Sequence, residues 1–478
     1  MASELVALVK HDCPVCDQVL PALDAAGVRV VSQSDPAQTA AQAARLGLRR
    51  VPEVDADLAL SERLDPEAVP TVVLLDGERE EGRVEGLDRA RIAELAARAG
   101  AHLDLDGLPE RRPGCASRTR DPEVAARLAA RAARREGRLR AREIEIGELE
   151  DVHEALLARG VTDGLPVVPP TPERVVGMLE GTSRHPQDVV GVLPPYDGEA
   201  TVEKVAINAV MAGCAPEHLP VVLAAVEAAC RPEFALHGLV ATTHPAGPVI
   251  VAFGADAGIN AAGNVLGQGA RANLAIGRAL QLVVRNVGGG RPGIEDRAAH
   301  GQPGKVGLCF AERADGNPWP APYERPTVML MALEAPRLIV DQLAREPEGL
   351  AASFALALES VAHPKLRLAF DALLVVGPEH ARVFAEAGWS RERLRDRLFE
   401  LTTSPAGELV RGAGGSPEGV EARFVSDPAV PVAKFASPDR IQIVHAGGDA
   451  GLFSMVFGSW AAGEIGSAPV TAEVDAWA

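Results

Sequence analysis

The sequence predicts an α/β protein, and three observations support this fold class. Apolar residues make up 47% and charged residues 24% of the 478 residues, as in ordinary folded proteins rather than disordered or fibrous ones. Short apolar runs alternate with longer amphipathic stretches, a pattern typical of sheets covered by helices. The 47 glycines and 37 prolines exceed the average usage of about 7% and 5% and indicate many ordered turns. At roughly 150 residues per domain, the length allows two to four domains.

Residues 1–101 are predicted to form the first domain. The run ELVALVK near the N-terminus is apolar and has the length of a buried strand. The predicted elements are strands over 4–10, 28–33, 71–76 and 81–85, and helices over 17–26, 35–46 and 87–101. This order of strands and helices implies a mixed sheet covered by helices.

A pair of cysteines follows the first predicted strand. Cys13 falls at the N-terminus of the next helix, and Cys16 lies one helical turn further on. The helix dipole and the free N–H groups at a helix N-terminus stabilise a thiolate and lower its pKa. The second sulfur can then attack a mixed disulfide formed on the first. A Cys-x-x-Cys pair in this position therefore favours a redox-active dithiol.

Residues 1–101 resemble the thioredoxin/glutaredoxin superfamily in the CPVC motif at 13–16 and in the VPT run at 69–71. The resemblance implies a thioredoxin-like domain with a redox-active Cys13–Cys16 disulfide. It also implies a cis peptide bond before Pro70, which would face the cysteine pair. The chain lacks the Trp-Cys-Gly-Pro-Cys form of thioredoxins, so the redox potential of the dithiol stays open. The alternatives are half of a metal site, although no second pair lies nearby, and a docking module without redox chemistry.

Residues 102–160 are predicted to be an Arg-rich helical linker. Asp121 and Pro122 can cap and start a helix that continues to about residue 142. In a chain of net charge −18, its arginines are expected to lie against an acidic face of the same protein or of a second subunit. Cys115 precedes this helix in a loop with arginines on both sides, and nearby cations lower a thiol pKa. We expect Cys115 to be either a partner thiol of the dithiol or an ordinary loop cysteine.

Residues 161–478 are predicted to form a large α/β domain of one or two subdomains. It begins with a rigid extended run at 162–171, because residues before proline are pushed away from helical geometry. The predicted elements include helices over 172–179, 201–211, 219–230, 270–284 and 341–345, and strands over 249–253, 306–312 and 327–334. This part resembles an uncharacterised bacterial family that shares its DGLP, AGC and NPW landmarks. The resemblance implies no activity.

The large domain contains two candidate catalytic cysteines. Cys214 ends a predicted helix and lies close in sequence to His218, and a thiol beside a histidine can act as a nucleophile or a metal ligand. Cys309 lies on a short predicted strand. Cysteines at helix junctions are also often small buried apolar residues, which is our expectation for Cys230.

The segment between residues 242 and 320 is dense in Gly, Asn, Arg and His and is interpreted as a substrate pocket. A Gly-rich loop at 258–269 enters a helix, and backbone N–H groups in such a loop can hold an anion. The loop matches neither the dinucleotide fingerprint nor the P-loop, so it favours a small anionic group. Candidate substrate-binding residues are Arg271, Asn273, Arg285, Lys204, Asn208 and Glu312; His244, His380 and His445 are further site candidates next to predicted strand ends. The alternative is a loop-rich scaffold in which glycine fits left-handed turns.

Charge and composition limit the partners. An acidic chain repels phosphate backbones, which argues against nucleic acid. Six cysteines are too few for a disulfide-stapled secreted scaffold, and we detect neither a signal peptide nor an apolar run suited to a membrane span. The sequence therefore predicts a cytoplasmic protein without a membrane or organic-cofactor motif, which could form a homo-oligomer.

The favoured functional hypothesis is a thiol-dependent enzyme of the oxidoreductase or sulfur-transferase class. Cys13 and Cys16 would exchange electrons or sulfur with a further thiol: Cys214 is our first choice, Cys115 the second and Cys309 the third. The substrate would be a small anionic metabolite, and a thiol reductant or donor would be a partner. The alternatives are a protein that handles soft metals or organometals through the same thiols, and a non-enzymatic docking module.

Overall fold

The computed structural model describes residues 3–255, 257–463 and 466–475. The chain divides into two compact units, Met1–Arg135 and Glu136–Ala478, called unit 1 and unit 2. Both units combine helices with sheets, as expected for the α/β class. The predicted linker at 102–160 is not a separate segment, because residues up to Arg135 belong to unit 1 and the rest to unit 2. Across the described ranges, every helix is too short or too polar to cross a membrane.

Unit 1 is built around one five-stranded sheet. The strands of the whole of unit 1 are β1 Glu4–Val9, β2 Arg29–Ser32, β3 Glu53–Val54, β4 Ala68–Val69, β5 Thr71–Asp76, β6 Arg79–Glu85, β7 Leu87–Asp88, β8 Arg111–Arg112 and β9 Cys115–Ala116. Its helices are α1 Pro14–Ala25, α2 Pro36–Leu46, α3 Ala59–Leu64, α4 Arg89–Arg98 and α5 Pro122–Arg135. The sheet order is β3-β2-β1-β5-β6, with β1 parallel to β2 and antiparallel to β5. Outside this sheet, β4 pairs with β9 and β7 pairs with β8.

Local sequence signals explain where the helices of unit 1 begin. Proline occupies the first position of α1 and α2, where its missing N–H group costs no hydrogen bond. Asp35 caps α2 by accepting a hydrogen bond from the N–H group of Gln38 (2.8 Å). The same helix ends at Gly47, whose φ of +63° favours glycine. The buried apolar strands β1 and β5 form the centre of a core to which the helices α1 and α4 contribute.

The Arg-rich segment forms α5, which ends at Arg135 rather than near the predicted residue 142. Arg131 and Arg135 both bind Glu62 of α3, with N–O distances of 3.0 and 2.6 Å. Part of the basic run therefore lies against an acidic residue of the same unit, one of the two arrangements that its charge predicted. Gly137 follows with a φ of +70°, a conformation in which helices commonly end.

Unit 2 is larger and contains an eight-stranded sheet. Its strands are β10 Val189–Leu193, β11 Gly198–Thr201, β12 Gly247–Phe253, β13 Leu308–Ala311, β14 Thr327–Leu333, β15 Arg337–Val340, β16 Phe370–Val376, β17 Thr403–Pro405, β18 Pro431–Ala433, β19 Ile441–His445, β20 Phe453–Ala461 and β21 Val470–Glu473. Its helices are α6 Val152–Ala158, α7 Pro172–Leu179, α8 Val202–Ala212, α9 Leu219–Cys230, α10 Leu236–Ala241, α11 Arg271–Val283, α12 Pro347–Glu359, α13 Pro378–Glu386 and α14 Arg391–Leu401.

The main sheet of unit 2 runs in the order β13-β12-β14-β20-β16-β19, and β15 and β21 pair beside this path. The strands β13 and β19 lie at opposite ends of this order, yet the N–H group of Arg313, just after β13, donates to the carbonyl oxygen of His445 at the end of β19 (2.7 Å). The sheet is therefore curled. Residues of one face, including Val251, Phe310 and Val444, pack together inside the curl. Helices α8, α9 and α11 cover part of the outer face, and α12, α13 and α14 cover another part.

One predicted helix of unit 2 is wrong. Residues 341–345 form a turn, because the Asp341 carboxylate accepts hydrogen bonds from the N–H groups of Leu343 and Ala344 (3.0 and 2.8 Å). The strand β15 lies before this turn, and the helix α12 begins after it at Pro347. The hydrogen bonds of the Asp341 side chain therefore favour a turn over the helix that the pattern of this segment predicted.

Candidate functional site

Cys13 occupies the N-cap position of α1 in unit 1. Its sulfur accepts a hydrogen bond from the backbone N–H group of Cys16 (3.2 Å) and lies 3.3 Å from the carbonyl oxygen of Val69. The hydrogen bond from the Cys16 thiol is the largest influence that lowers the pKa of Cys13, to about 6, although burial opposes the shift. The first turn of α1 therefore stabilises the Cys13 thiolate, as its position in the sequence predicted.

Cys16 has the opposite electrostatic surroundings. Its side chain is fully buried in the core of unit 1. Burial, together with the hydrogen bond to the neighbouring sulfur, raises the pKa of Cys16 well above its ordinary value. The surroundings of Cys13 therefore favour the thiolate, whereas those of Cys16 favour the protonated thiol. This is the division that a nucleophile and a resolving thiol require.

Cys115 is the third sulfur at this site, although it lies about a hundred residues further along the chain. It begins β9, which pairs with β4 so that Cys115 lies opposite Val69. Cys115 is a smaller influence that lowers the pKa of Cys13. Burial and the hydrogen bond to Cys13 raise the pKa of Cys115 itself. The structure thus brings the second of our three candidate partner thiols to the dithiol.

Pro70 follows Val69 at the same site. The Val69–Pro70 peptide bond is cis, the isomer that the family resemblance implied. The carbonyl group of Val69 faces Cys13, and the backbone of Val69 pairs with β9. Val69 therefore contacts the Cys13 sulfur through its carbonyl group and pairs with the backbone of Cys115.

A buried polar network fixes the segment that follows Cys115. The side-chain amide of Gln33 donates to the hydroxyl groups of Ser117 (2.8 Å) and Ser61 (3.0 Å). Its carbonyl oxygen accepts a hydrogen bond from the N–H group of Arg118 (2.9 Å). Gln33, Ser61 and Ser117 are all buried, so these polar groups depend on one another for satisfaction. The network anchors residues 117–118 beside the end of β2.

The cysteines of unit 2 have different surroundings. Cys214 and Cys309 are buried in the core that also contains α8, α9 and α11. Burial raises the pKa of Cys214 to about 12, raises that of Cys230 to about 11 and shifts that of Cys309 further still. These thiols therefore have the properties of small apolar core residues. The sequence-based preference for Cys214 as a reactive thiol finds no support in its surroundings.

The residues near Cys214 have structural roles of their own. The ring of His218 accepts a hydrogen bond from the N–H group of Ala215 (3.1 Å) and closes the turn before α9. The Arg271 guanidinium donates to the carbonyl oxygens of Gly213 and Cys214 (2.6 and 3.0 Å). Burial lowers the pKa of His218, which favours the neutral ring. His218, which the sequence suggested as a partner of the Cys214 thiol, instead caps the start of a helix, and Arg271 caps the end of another.

The other predicted substrate-binding side chains of unit 2 do not converge on one site. Asn273 is buried and binds the loop backbone at Asn260 and Val265. Asn208 receives a hydrogen bond from Asn286 (2.7 Å), and Lys204 binds the carbonyl oxygen of Glu199 (2.7 Å). Burial lowers the pKa of Arg285. The ring of His244, a candidate catalytic residue, binds the N–H group of Ala246. Most of these side chains therefore hold loops in place.

Glu312 belongs to a buried charged cluster instead. Its carboxylate binds Arg391 (3.0 Å) and accepts a weaker hydrogen bond from the N–H group of His445 (3.4 Å). Burial raises the pKa of Glu312, against the effect of the arginine. The His445 ring lies 3.0 Å from the carbonyl oxygen of Arg313 through Nδ1, and burial lowers its pKa. His380 is held by Ser454 and by the carbonyl oxygen of Asp341.

Two cavities lie at the carboxyl ends of the parallel strands in unit 2. One measures about 460 Å³ and is lined by the Gly-rich loop at 264–267, the start of α13 and the loop after β19. The other measures about 310 Å³ and is lined by Tyr323, Arg391 and Arg395 among others. Carboxyl ends of strands are a frequent position for ligands in α/β sheets. None of the six predicted substrate-binding side chains lines either cavity.

Some residues of the unit 1 site were missed by the sequence analysis. The two-residue pairing between β4 and β9 and the Gln33 network have no periodic pattern that would reveal them. The Arg-flanked position of Cys115 was the only signal in the sequence that singled out this cysteine, which the structure places opposite Val69. Among the described residues, no group of three or more His, Cys, Asp or Glu is arranged to hold a metal ion.

Comparisons with known proteins do not assign this chain to a family. Neither the protein-family models nor the curated proteins give a match to this chain. The two resemblances inferred from sequence motifs therefore stay predictions.

Proposed function

We propose that unit 1 carries out thiol–disulfide exchange, with Cys13 as the nucleophile and Cys16 as the resolving thiol. The observation that carries the proposal is the position of the Cys13 sulfur at the N-terminus of α1, where the thiol and the N–H group of Cys16 both donate to it. With a pKa of about 6, Cys13 is mostly a thiolate at neutral pH. The thiolate is the form that attacks disulfides.

The fold of unit 1 supports the thioredoxin-like interpretation. A mixed sheet covered by helices and a cis bond before Pro70 are the features that the resemblance implied. The position of the cysteine pair, directly after β1 and at the start of α1, agrees with the same resemblance. The lowered pKa of Cys13, rather than the fold, favours an exchange reaction over the alternative of a docking module without redox chemistry.

The proposed reaction has two steps. The Cys13 thiolate attacks one sulfur of a substrate disulfide, forms a mixed disulfide and expels the other sulfur as a thiolate. Cys16 then passes its proton to the thiolate expelled in the first step and attacks the Cys13 sulfur. This attack expels the second substrate sulfur as a thiolate, which takes a proton from water. The substrate disulfide is reduced to two thiols, and the two protein thiols are oxidised to one disulfide. An external thiol reductant restores the dithiol, and the reverse direction oxidises a dithiol substrate.

We confine the proposal to unit 1. Transfer to Cys214 or Cys309 would require a buried thiol of strongly raised pKa to act as a nucleophile, which their surroundings disfavour. For the alternative of soft-metal handling, no arrangement of ligands in the described residues gives specific support. Thiol exchange at Cys13 is therefore the function that the site geometry favours.

Catalysed reduction of a peptide disulfide by excess dithiothreitol tests the proposal. The wild-type chain should accelerate the reaction, and Cys13→Ala should give the rate measured without protein. Cys214→Ala is the matched control, because it removes a cysteine from unit 2 and should retain the activity. Equal rates for the wild type and Cys13→Ala would overturn the proposal.

A further inference from the structure

The short strand β9 approaches the redox site unusually closely. It pairs with β4 in antiparallel register, with Cys115 opposite Val69 and Ala116 opposite Ala68. Gly114 makes this approach possible, because a Cβ atom at that position would lie 2.8 Å from the carbonyl oxygen of Val69 and 2.9 Å from the Cβ atom of Ala68. Any larger residue would push β9 away from β4.

The N-terminus of α1 serves two sulfurs rather than one. The N–H group of Cys16 donates to Cys13 (3.2 Å), and the backbone of Val15 acts to lower the pKa of Cys115, against burial and the neighbouring Cys13, which raise it. The positive charge of Lys10 also favours the thiolate of Cys115. Both sulfurs therefore lie where the free N–H groups of a helix stabilise negative charge. A loop cysteine without a chemical role would not need this position.

We propose that Cys115 is a second resolving thiol, so that Cys13 forms an internal disulfide with Cys115 as well as with Cys16. This inference rests on the proposed exchange function and identifies a third residue in it. Cys115 pairs with Val69, whose carbonyl oxygen lies 3.3 Å from the Cys13 sulfur, and it is partly exposed, whereas Cys16 is fully buried. Incoming disulfides and the leaving thiolate therefore have more direct access to the side of the site formed by Cys115.

The additional step balances in the same way as the first resolution. After the mixed disulfide has formed on Cys13, Cys115 passes its proton to the thiolate already expelled from the substrate. The Cys115 sulfur then attacks Cys13, forms the Cys13–Cys115 disulfide and expels the second substrate sulfur. The oxidant is the substrate disulfide, which accepts two electrons and is released as two thiols. A later attack by Cys16 on Cys13 exchanges one internal disulfide for the other without a net redox change.

The two internal disulfides would differ in their effect on the chain. A Cys13–Cys16 bond links residues within one helical turn, while Cys115 remains free to leave the site. A Cys13–Cys115 bond holds β9 covalently against the start of α1. Noncovalent contacts already position this segment, through the pairing with β4 and through the Gln33 network. The second disulfide would therefore form with little rearrangement.

Replacement of each resolving thiol tests the inference. The reduced full chain and the variants Cys16→Ala, Cys115→Ala and Cys16→Ala/Cys115→Ala are treated with a limiting amount of an aryl disulfide reagent, and the cysteine pairs are mapped by mass spectrometry. We expect Cys16→Ala to release both halves of the reagent and to give a Cys13–Cys115 peptide. The double variant should release one half and retain the other on Cys13.

The possible failures are distinguishable. If Cys16→Ala also retains half of the reagent on Cys13, Cys115 is not a resolving thiol, while the proposed exchange function stands. If Cys13 does not react in the wild type, the exchange function itself fails. Far-ultraviolet circular dichroism equal to that of the wild type shows that the Cys16→Ala variant is still folded, so that a missing crosslink in it counts against the inference.

A second variant tests the geometry without removing a cysteine. In the Cys16→Ala background, Gly114→Ala should displace β9 and lower the yield of the Cys13–Cys115 disulfide several-fold. Ala116→Ser is the matched control, since Ala116 is exposed on the same strand and its replacement should leave the yield unchanged. Equal yields with Gly114→Ala and Ala116→Ser would show that the close approach of β9 is not required and would overturn the structural basis of the inference.

Discussion

The six cysteines of this chain fall into two groups of three, and only the group in unit 1 contains a thiol of lowered pKa, Cys13. In unit 1, Cys13, Cys16 and Cys115 meet at the start of one helix, where hydrogen bonds lower the pKa of Cys13 to about 6. In unit 2, Cys214 is packed against apolar side chains, and burial raises its pKa to about 12. Cysteine burial alone does not separate the groups, because Cys13 is only 1% exposed and Cys214 only 5%. Reactivity depends instead on whether donors face the sulfur.

The difference between the cysteines of unit 1 and unit 2 should have its largest effect on the rate of disulfide exchange. Cys13→Ser should reduce disulfide exchange to the rate without protein, because the serine hydroxyl is not ionised at neutral pH and cannot form the mixed disulfide. Replacement of Cys309 by alanine should leave the exchange rate unchanged. The initial rate of peptide-disulfide reduction measures both. A large loss in Cys309→Ala would show that the thiols of unit 2 take part in the reaction.

The second effect is the order in which the thiols are alkylated. A pKa of about 6 makes Cys13 mainly thiolate at pH 7, whereas a pKa of about 12 leaves Cys214 with roughly 10⁵-fold less thiolate than thiol. Brief treatment of the reduced native chain with iodoacetamide should therefore label Cys13 first. Cys214 and Cys309 should react only after denaturation, as peptide mass spectrometry would reveal. Early labelling of Cys214 would contradict the division into two groups.

The third effect concerns stability rather than chemistry. Cys309→Ser places a hydroxyl group in the apolar core of unit 2, where its sulfur is fully buried. We expect the free energy of unfolding of unit 2 to fall by about 1–3 kcal/mol, the cost of a buried polar group without a partner. All four tryptophans of the chain lie beyond residue 318, so urea unfolding followed by tryptophan fluorescence reports on unit 2. A stability unchanged from the wild type would show that the Cys309 site is polar.

The smallest effect is local to the segment after Cys115. Gln33→Ala removes the acceptor of the Arg118 N–H group (2.9 Å). Since a lost hydrogen bond of this kind is worth about 1 kcal/mol, the Arg118 amide should exchange with deuterium several-fold faster. The amide of Gln38, which binds Asp35 instead, is the internal control and should keep its protection. Unchanged exchange at Arg118 would mean that β9 alone holds this segment.

The sequence was informative where one short pattern determines the local structure. The buried strand β5 and the helices α7 and α9 have the predicted bounds or nearly so, because their apolar patterns and first prolines point to the same element. The cis bond before Pro70 and the position of Cys13 followed from motifs of a few residues. These features depend on neighbours in the chain, which the sequence displays directly.

The remaining features depend on contacts between distant residues. Cys115 reaches Cys13 because Gly114 lets β9 approach β4, and no local pattern indicates such an approach. Cys214 and His218 are close in sequence, yet the His218 ring caps a turn and the thiol points into the core. Proximity in sequence therefore did not indicate which hydrogen bonds the His218 ring makes, because these depend on the packing within unit 2.

The titration of Cys13 tests the central claim most directly. Thiolate absorbance in the ultraviolet is followed against pH for the reduced wild type and for Cys13→Ser. We predict a titration with a midpoint near pH 6 that disappears in Cys13→Ser and is retained in Cys214→Ala. Because the folded pKa lies below the ordinary value of 9.0, the ionised thiol stabilises the reduced protein above pH 9, and this contribution is lost as the pH falls towards 6. The absence of any thiolate below pH 8 in the wild type would contradict the assignment of Cys13 as the nucleophile.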